Sequence, residues 1–356
     1  MRIIADCMGS DNGAVELLKG CVQAVAECGV EIVAVGKREE MLKVISENSL
    51  PTEGIELVDA ETVIDMHDVP TSILKEKLNS SMGVALQLLR DGKGDALVSA
   101  GNTGALLAGG TLIVKRIKGV KRAALAPVLP SKSGYVMLID SGANTECRPE
   151  YLDQFGLMGS IYMKNAEGIS EPRVGLANNG AEETKGTQLC LDAYDLLKEN
   201  KYINFVGNVE GRGLMLGECD VFVCDGFTGN LVLKTCEGMG KFMVDLIKEL
   251  FMSNILSKIA ALLVMGNLKK LKKRVDYKEV GGAVMLGICK PIIKAHGSSD
   301  ARAFKNAIRQ AVRFANGDVI SKITDALEQQ RIEAVAAATQ EAQTEERPAS
   351  EEDNKN

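Results

Sequence analysis

The hexapeptide Asp225-Gly226-Phe227-Thr228-Gly229-Asn230 packs a carboxylate, two glycines, a hydroxyl and an amide between the apolar runs VFVC and LVLK. That set suits an anion. Main-chain amides, the Thr228 hydroxyl and the Asn230 amide can donate to it, and Gly229 lets it approach the backbone at the start of a helix. Asp225 would repel an anion, so it holds the loop or a lysine, or caps the following helix. Clusters of the same kind follow other apolar runs: DCMGSDN at 6–12, GNTGA at 101–105, DSGAN at 140–144, NNGAEETKG at 178–186, GNVEGRG at 207–213 and HGSSD at 296–300.

These loops supply the remaining candidates. Lys185 and Arg212 are the cations that could neutralise a phosphate or an oxyanion. Ser99, Asn102 and Thr103 could contact phosphate or a carbonyl, and Asp6, Gly9, Asn144, Asn179 and Asn208 sit in equivalent turns. His296 is a general acid, a phosphate ligand or a structural histidine at a helix N-terminus. Ser298 and Ser299, with Asp300, read equally as ligands or as an N-cap cluster. Any one loop is explained as well by turn and cap chemistry; several at one sheet edge point to a ligand site.

Much chemistry is excluded. No G-x-G-x-x-G follows a strand, and no P-loop, H-E-x-x-H, C-x-x-C or G-x-S-x-G occurs. With two histidines, His67 and His296, no histidine-rich metal site is expected, and no cofactor is implied. Cys7 and Cys224 flank the candidate site, but their apolar neighbours predict buried, poorly ionised thiols. The reaction must use an external nucleophile or acid–base groups.

The elements that carry these loops alternate. Strands are predicted at Arg2–Cys7, Glu31–Gly36, Ile55–Asp59, Asp95–Ala100, Tyr135–Asp140, Arg173–Ala177, Ile203–Gly207 and Asp220–Asp225. Helices are predicted near 13–28, 38–47, 80–91, 104–116, 150–166, 184–199, 230–265 and 300–330. The pattern implies βαβ crossovers and a mainly parallel sheet, with loops gathered at the strands' carboxyl ends.

The chain has 356 residues, 46% hydrophobic and 25% charged, with net charge −6 and no Trp. Acidity and scarce aromatics argue against nucleic acid as a partner. Residues 331–356 carry seven acids and three bases and read as an acidic disordered tail; residues 1–330 are long enough for one large α/β unit or two linked lobes. Nine scattered cysteines and no leader-like segment predict a cytoplasmic protein.

The ordered set IIADCMGSD, VSAGNTGAL, LIDSGAN, NNGAEETKG, GNVEGRG, CDGFTGNLVLKTCEG, GGAVMLG and HGSSDARAFKNAI resembles the phosphate acyltransferase (PlsX) family over about residues 1–325. Ser10, Gly213 and Val284 depart from the family pattern, which has Gly, Asp and Pro there. The resemblance implies a three-layer α/β/α sandwich like the isocitrate and isopropylmalate dehydrogenases, as a single catalytic domain over residues 1–330, a homodimer, and transfer of an acyl group from acyl carrier protein to inorganic phosphate. The acyl phosphate would feed a membrane-bound glycerol-3-phosphate acyltransferase. Phosphate itself would be the nucleophile, with Lys185, Asn230 and His296 as catalytic candidates. Alternatives are a coenzyme A thioester as donor, as in phosphate acetyltransferases, or a non-catalytic membrane scaffold.

Residues 240–275 add an apolar stripe (Ile255, Leu256, Ile259, Leu262, Leu263) and a basic run with Lys269, Lys270, Lys272, Lys273 and Arg274. The apolar run is too short to span a bilayer, and an interfacial helix attracted to anionic lipid is predicted. The resemblance adds that this hairpin makes the dimer and touches the membrane. The basic cluster could equally steer an acidic carrier protein.

Overall fold

The chain is described from a computed structural model that covers residues 1–275 and 281–345; of 269–275, 338 and 340–345 only the helical backbone is described. The first half runs β1 (Arg2–Asp6), α1 (Gly13–Cys28), β2 (Glu31–Gly36), α2 (Arg38–Glu47), β3 (Ile55–Asp59), α3 (Ser81–Arg90), β4 (Ala96–Ser99), α4 (Thr103–Gly109). Then follow β5 (Ala124–Ser131), β6 (Gly134–Ile139), α5 (Pro149–Asn165), β7 (Arg173–Asn178), α6 (Gln188–Glu199), β8 (Asn204–Glu210), α7 (Gly211–Leu216) and β9 (Val221–Val223). The chain continues with α8 (Gly226–Met252), α9 (Ile255–Val275), β10 (Gly282–Leu286), β11 (Ile292–Ala295), α10 (Ala301–Asn316) and α11 (Val319–Glu345).

The strands form one sheet in the order β3-β2-β1-β4-β11-β10-β5-β6-β9-β7-β8. β3, β2, β1, β4 and β11 are parallel, as are β6, β9, β7 and β8. Between the groups, β10 is antiparallel to β11 and β5, and β5 is antiparallel to β6. The two parallel groups therefore run in opposite directions. The expectation that all the polar loops share one edge is thereby corrected: they belong to two carboxyl edges, separated by a seam of three antiparallel pairings.

Alternation of side chains builds the layers. Ile3, Ala5, Ile32, Ala34 and Val98 face one core, and Ile4, Val33, Val35 and Leu97 face the other. The first core is continuous across both groups and is covered by α1, α2, α10, α5, α6 and α11. On the opposite face the cover is split. Helices α3 and α4 lie over the first group, while α7 and α8 lie over the second. Each fully buried large aliphatic or aromatic residue contributes roughly 1.5–3 kcal/mol. In α1, Ala14, Leu17, Leu18 and Cys21 lie at helical spacing and face this core. Gly20 brings α1 against α10, where an added Cβ would lie 2.8 Å from the Ala301 carbonyl oxygen.

Several expectations are revised. Three strands were not predicted: β5, β10 and β11. Pro127 and Pro130 interrupt β5, Gly281 and Gly282 stand before and at the start of β10, and Lys294 breaks the apolar run of β11, so each lacks a clean strand pattern. The helix expected over 230–265 is two helices, α8 and α9, which pack against each other. They part at Ser253-Asn254, where the Asn254 side chain accepts the Ser257 amide at 2.9 Å. Helix α11 runs to Glu345, so residues 331–345 of the expected disordered tail are helical; residues 346–356 lie outside the described residues.

Candidate active site

Where the cover is split, a cleft of about 250 Å³ opens over the seam. Its floor is β5: Leu125, Pro127 and Leu129 point to this face, while Ala124, Ala126 and Val128 face the continuous core. One wall is α8, with Asn230, Leu233, Lys234 and Glu237. The other end holds Thr103 at the start of α4, Lys294 in β11, and the residues after it, His296 and Gly297. An apolar floor thus meets a polar end. Helix α8 starts at the carboxyl edge of the second group and reaches the carboxyl edge of the first, which is how the opposed groups share one cavity.

Register explains the polar end. Asp6 pairs with Ser99, Ser99 with Lys294, Lys294 with Ala283 and Ala283 with Pro127. The row crosses five strands on the cleft face. Asp6 and Ser99 are buried, and Ser99 Oγ donates to Asp6 Oδ2 at 2.7 Å. Burial pushes the Asp6 carboxyl up, opposed by this hydroxyl. Lys294 is 8% exposed and donates to the carbonyls of Ala100, at 3.3 Å, and Ala295. Burial pulls its ammonium down to about 8.

His296 is partly exposed, and Ser298 N donates to its Nδ1 at 3.2 Å. Nδ1 is therefore an acceptor, and the neutral ring carries its proton on Nε2. Partial burial lowers its pKa, with Glu237 opposing and Lys234 and Lys294 assisting. Lys234 and Glu237 form an ion pair at 2.8 Å.

The opening hexapeptide proves to be a capping device. Asp225 accepts the Thr228 amide at 2.9 Å and its hydroxyl at 2.7 Å. Gly226 N donates to Asn144 O at 2.7 Å and Gly229 N to Asp225 O. Those first-turn donors are engaged within the protein. Asn144 N and Nδ2 bond the buried Asp140 carboxylate at 2.6 and 3.0 Å, and Leu125 N and Ala143 N add two more bonds. Burial pushes Asp140 up, with those donors opposing.

Of the other candidates, Asn102 caps α4, accepting Ala105 N and donating to the carbonyls of Asp65 and Met66. Gly9 adopts φ 71°, and a Cβ there would lie 3.3 Å from Ile64 O. Ser299 is buried and donates to His296 O at 2.6 Å, and Ser298 Oγ lies 2.9 Å from His296 Nδ1. Asn208 donates to Glu182 O at 2.8 Å. Asn179 and Thr228 line a second depression with Thr187, Cys190, Gly211 and Phe222. Lys185 is exposed beside it, and Arg212 is exposed and bonded to Glu210 at 2.6 Å. The structure thus brings Thr103, Asn230 and His296 to one cavity, sets Asp6 and Ser99 beneath it, and leaves Lys185, Arg212, Asn179 and Thr228 elsewhere. At Gly213 an added Cβ would overlap Glu218 and lie 2.7 Å from Val209, so the carboxylate of the family pattern would displace Glu218.

Lys294, Lys234 and Glu237 were not singled out in the sequence. The signal was present for one of them: a lysine inside the apolar strand IIKA is out of place unless a buried site needs it. Cys7 and Cys224 are buried, and both thiols are pushed well above their usual range, Cys7 chiefly by its contact with Cys21 and Cys224 by burial. No group of His, Cys, Asp and Glu that could hold a metal occurs among the described residues.

On the hairpin, Ile255, Leu256, Leu262 and Leu263 are 70–83% exposed and Ile259 is 50% exposed. Lys269, Lys270, Lys272 and Lys273 lie on α9, but their side chains are outside the described residues. No helix among the described residues is long and apolar enough to cross a membrane.

The fold is the α/β/α sandwich of the phosphotransacetylases. EutD phosphotransacetylase from Staphylococcus aureus superposes with TM-score 0.60 at 16% identity, over 89% of this chain and 94% of that one. A phosphotransacetylase from Streptococcus pyogenes gives 0.61 at 15%, over 88% and 94%. At such identities the likeness is one of fold. The chain belongs to the family described as "Fatty acid synthesis protein", whose model matches residues 1–322. Relatives named phosphate acyltransferase include one from Caldanaerobacter subterraneus, 46% identical over 92% of this chain and 98% of its own length. Another, from Thermoanaerobacterium thermosaccharolyticum, is 44% identical over 92% and 97%. The protein is a transferase of this acyltransferase family.

Proposed function

We propose that the protein transfers an acyl group from acyl carrier protein to inorganic phosphate, releasing acyl phosphate for phospholipid synthesis. The observation that supports this most is the single cleft in which an apolar floor, Leu125, Pro127, Leu129 and Leu233, runs into a polar end. A fatty acyl chain fits the first, and a thioester carbonyl and an anion fit the second.

The chemistry asks little of the protein beyond position and charge. One oxygen of HPO4²⁻ attacks the thioester carbonyl, the C–S bond breaks, and the phosphate proton ends on the carrier's sulfur. Atoms and charge balance without an enzyme nucleophile, in keeping with the buried thiols of Cys7 and Cys224. In this reading the neutral His296 presents Nε2–H to the developing oxyanion or the departing sulfur. Asn230 and Thr103 orient the carbonyl and the phosphate. Lys185 and Arg212, which do not line this cleft, take no part in the phosphate step.

The exposed apolar residues of α8 and α9, including Phe242, Leu250, Ile255, Leu256 and Leu263, support a homodimer and a peripheral membrane contact through this hairpin. Such a contact would deliver the acyl phosphate to a glycerol-3-phosphate acyltransferase in the membrane.

The test is phosphate-dependent release of free carrier protein from a long-chain acyl thioester, with the acyl phosphate trapped by hydroxylamine. Faster turnover with the coenzyme A thioester than with the carrier thioester would replace the donor in this reading. No turnover with either would leave the scaffold.

A further inference from the structure

Lys294 is a buried lysine whose ammonium has no carboxylate within ion-pair distance among the described residues. Its ammonium is held by two neutral carbonyls. The charged groups around it are Asp6 at the end of β1, Asp11 in the following loop, Lys234 and Glu237 on α8, and His296 two residues on. Lys234 and Glu237 neutralise each other. Asp6 is committed to Ser99 and to the Met8 amide. An ammonium placed out of water at the edge of an apolar cleft costs several kcal/mol unless an anion joins it.

We propose that Lys294 is the residue that receives the phosphate, its ammonium donating to a phosphate oxygen across the polar end of the cleft, with Asp6 as the positioning residue behind it. The assignment rests on the transferase reading above for the identity of the anion. The row Asp6–Ser99–Lys294 gives it direction: Lys294 belongs to the lining of the cavity, and Asp6 lies outside that lining. A buried carboxylate behind the lysine favours its charged form without occupying the donor that the ligand needs. The same ammonium lies where charge develops on phosphate and carbonyl during attack, so it acts on the reacting atoms directly.

The test uses the full chain and inorganic phosphate alone. Phosphate should raise the melting temperature of the wild type in a saturable way. Lys294→Met should be at least as stable as the wild type without phosphate, because it replaces a buried ammonium held by neutral carbonyls with an apolar chain of similar length while Asp6 keeps its bonds to Ser99 and Met8, and it should show no phosphate-dependent rise. An undiminished rise in Lys294→Met overturns the assignment, as does the absence of any rise in the wild type. If Lys294→Met does not fold, Lys294→Arg decides. Its half-saturating phosphate should increase at least about tenfold, with the half-saturating thioester little changed; an unchanged phosphate dependence refutes the role. Asp6→Asn should move the alkaline limb of phosphate binding to lower pH, a shift that a purely structural Asp6 would not produce. If phosphate binds through Lys294 but no thioester turns over, only the donor reading falls.

Discussion

Gly229 joins the second parallel group to the cleft wall, and replacing it by alanine should be costly in a way that can be worked from the structure. The residue lies in the first turn of α8, where an added Cβ would overlap the Asp140 carbonyl oxygen. It would also sit 2.9 Å from both the Asp140 carbonyl carbon and Cys224 Sγ. Real Cβ contacts essentially never fall below 3.0 Å. The obstacle is backbone in a buried turn whose carboxylate holds the Leu125, Ala143 and Asn144 amides, so it cannot swing aside. Helix α8 must move instead. Overpacking of this kind costs roughly 1–3 kcal/mol, and weakening the Asp225 cap adds about 1 kcal/mol. The sum, about 2–4 kcal/mol, is about 30- to 800-fold in the unfolding constant. Urea denaturation of Gly229→Ala should show it, with Gly238→Ala in the same helix as the control. An added Cβ at Gly238 meets nothing within 4 Å, so that change should stabilise by about 0.5–1 kcal/mol through helix propensity. Equal urea midpoints for Gly229→Ala and wild type would refute the reasoning. Asn230 and Lys234 ride on the displaced helix, so turnover should fall together with stability.

Asp225→Ala should cost about 1 kcal/mol by removing the α8 cap, and Asp225→Asn should recover much of it, as read from thermal melts. His296 is held below its ordinary pKa in the folded chain, so its contribution to stability is present above the unfolded value near 6.5 and lost as pH falls beneath it. The drop in urea midpoint between pH 7 and pH 5 should accordingly be smaller in His296→Gln than in the wild type; equal drops would contradict the assigned neutral ring. Cys7→Ala and Cys224→Ala should retain turnover, and iodoacetamide at pH 7.5 should leave both thiols unlabelled in the native protein; a labelled and inactivated Cys224 would contradict their burial.

Composition and periodicity made the layered α/β architecture readable, since eight strands with near-correct ends follow from short apolar runs closed by glycine, asparagine and aspartate. The same rule failed at the seam. β5 carries two prolines, β10 begins on a glycine and is preceded by another, and β11 holds a lysine, so the strands that floor the cleft are those whose local sequence is least strand-like. The pairings that join them to the rest of the sheet, β5 with β10 and β11 with β4, are between segments far apart in the chain. Without them the reversal between the parallel groups was invisible, and loops such as Asn179 and Arg212 were placed at an edge they do not share with His296. Polar loop chemistry could not be sorted from the sequence: Asp225, Thr228 and Asn102 show the same residue types in caps as a ligand site would use. Lys294 was missed for the complementary reason. It lies inside a strand, where only its disagreement with Ile292 and Ile293 marks it.

The seam also dictates the order in which the protein can be made. The stretch from Ala124 to Val223 holds β5 to β9 with α5, α6 and α7 and leaves the ribosome as an uninterrupted block. β1 and β4 must wait, because the strand that joins β4 to the rest of the sheet, β11, is encoded at 292–295, and helix α10, which packs on α1, comes later still. A nascent chain halted before residue 290 should therefore carry a protease-resistant internal segment and an unprotected N-terminal third. Cutting off the last seventy residues would unfasten the beginning of the polypeptide rather than its end.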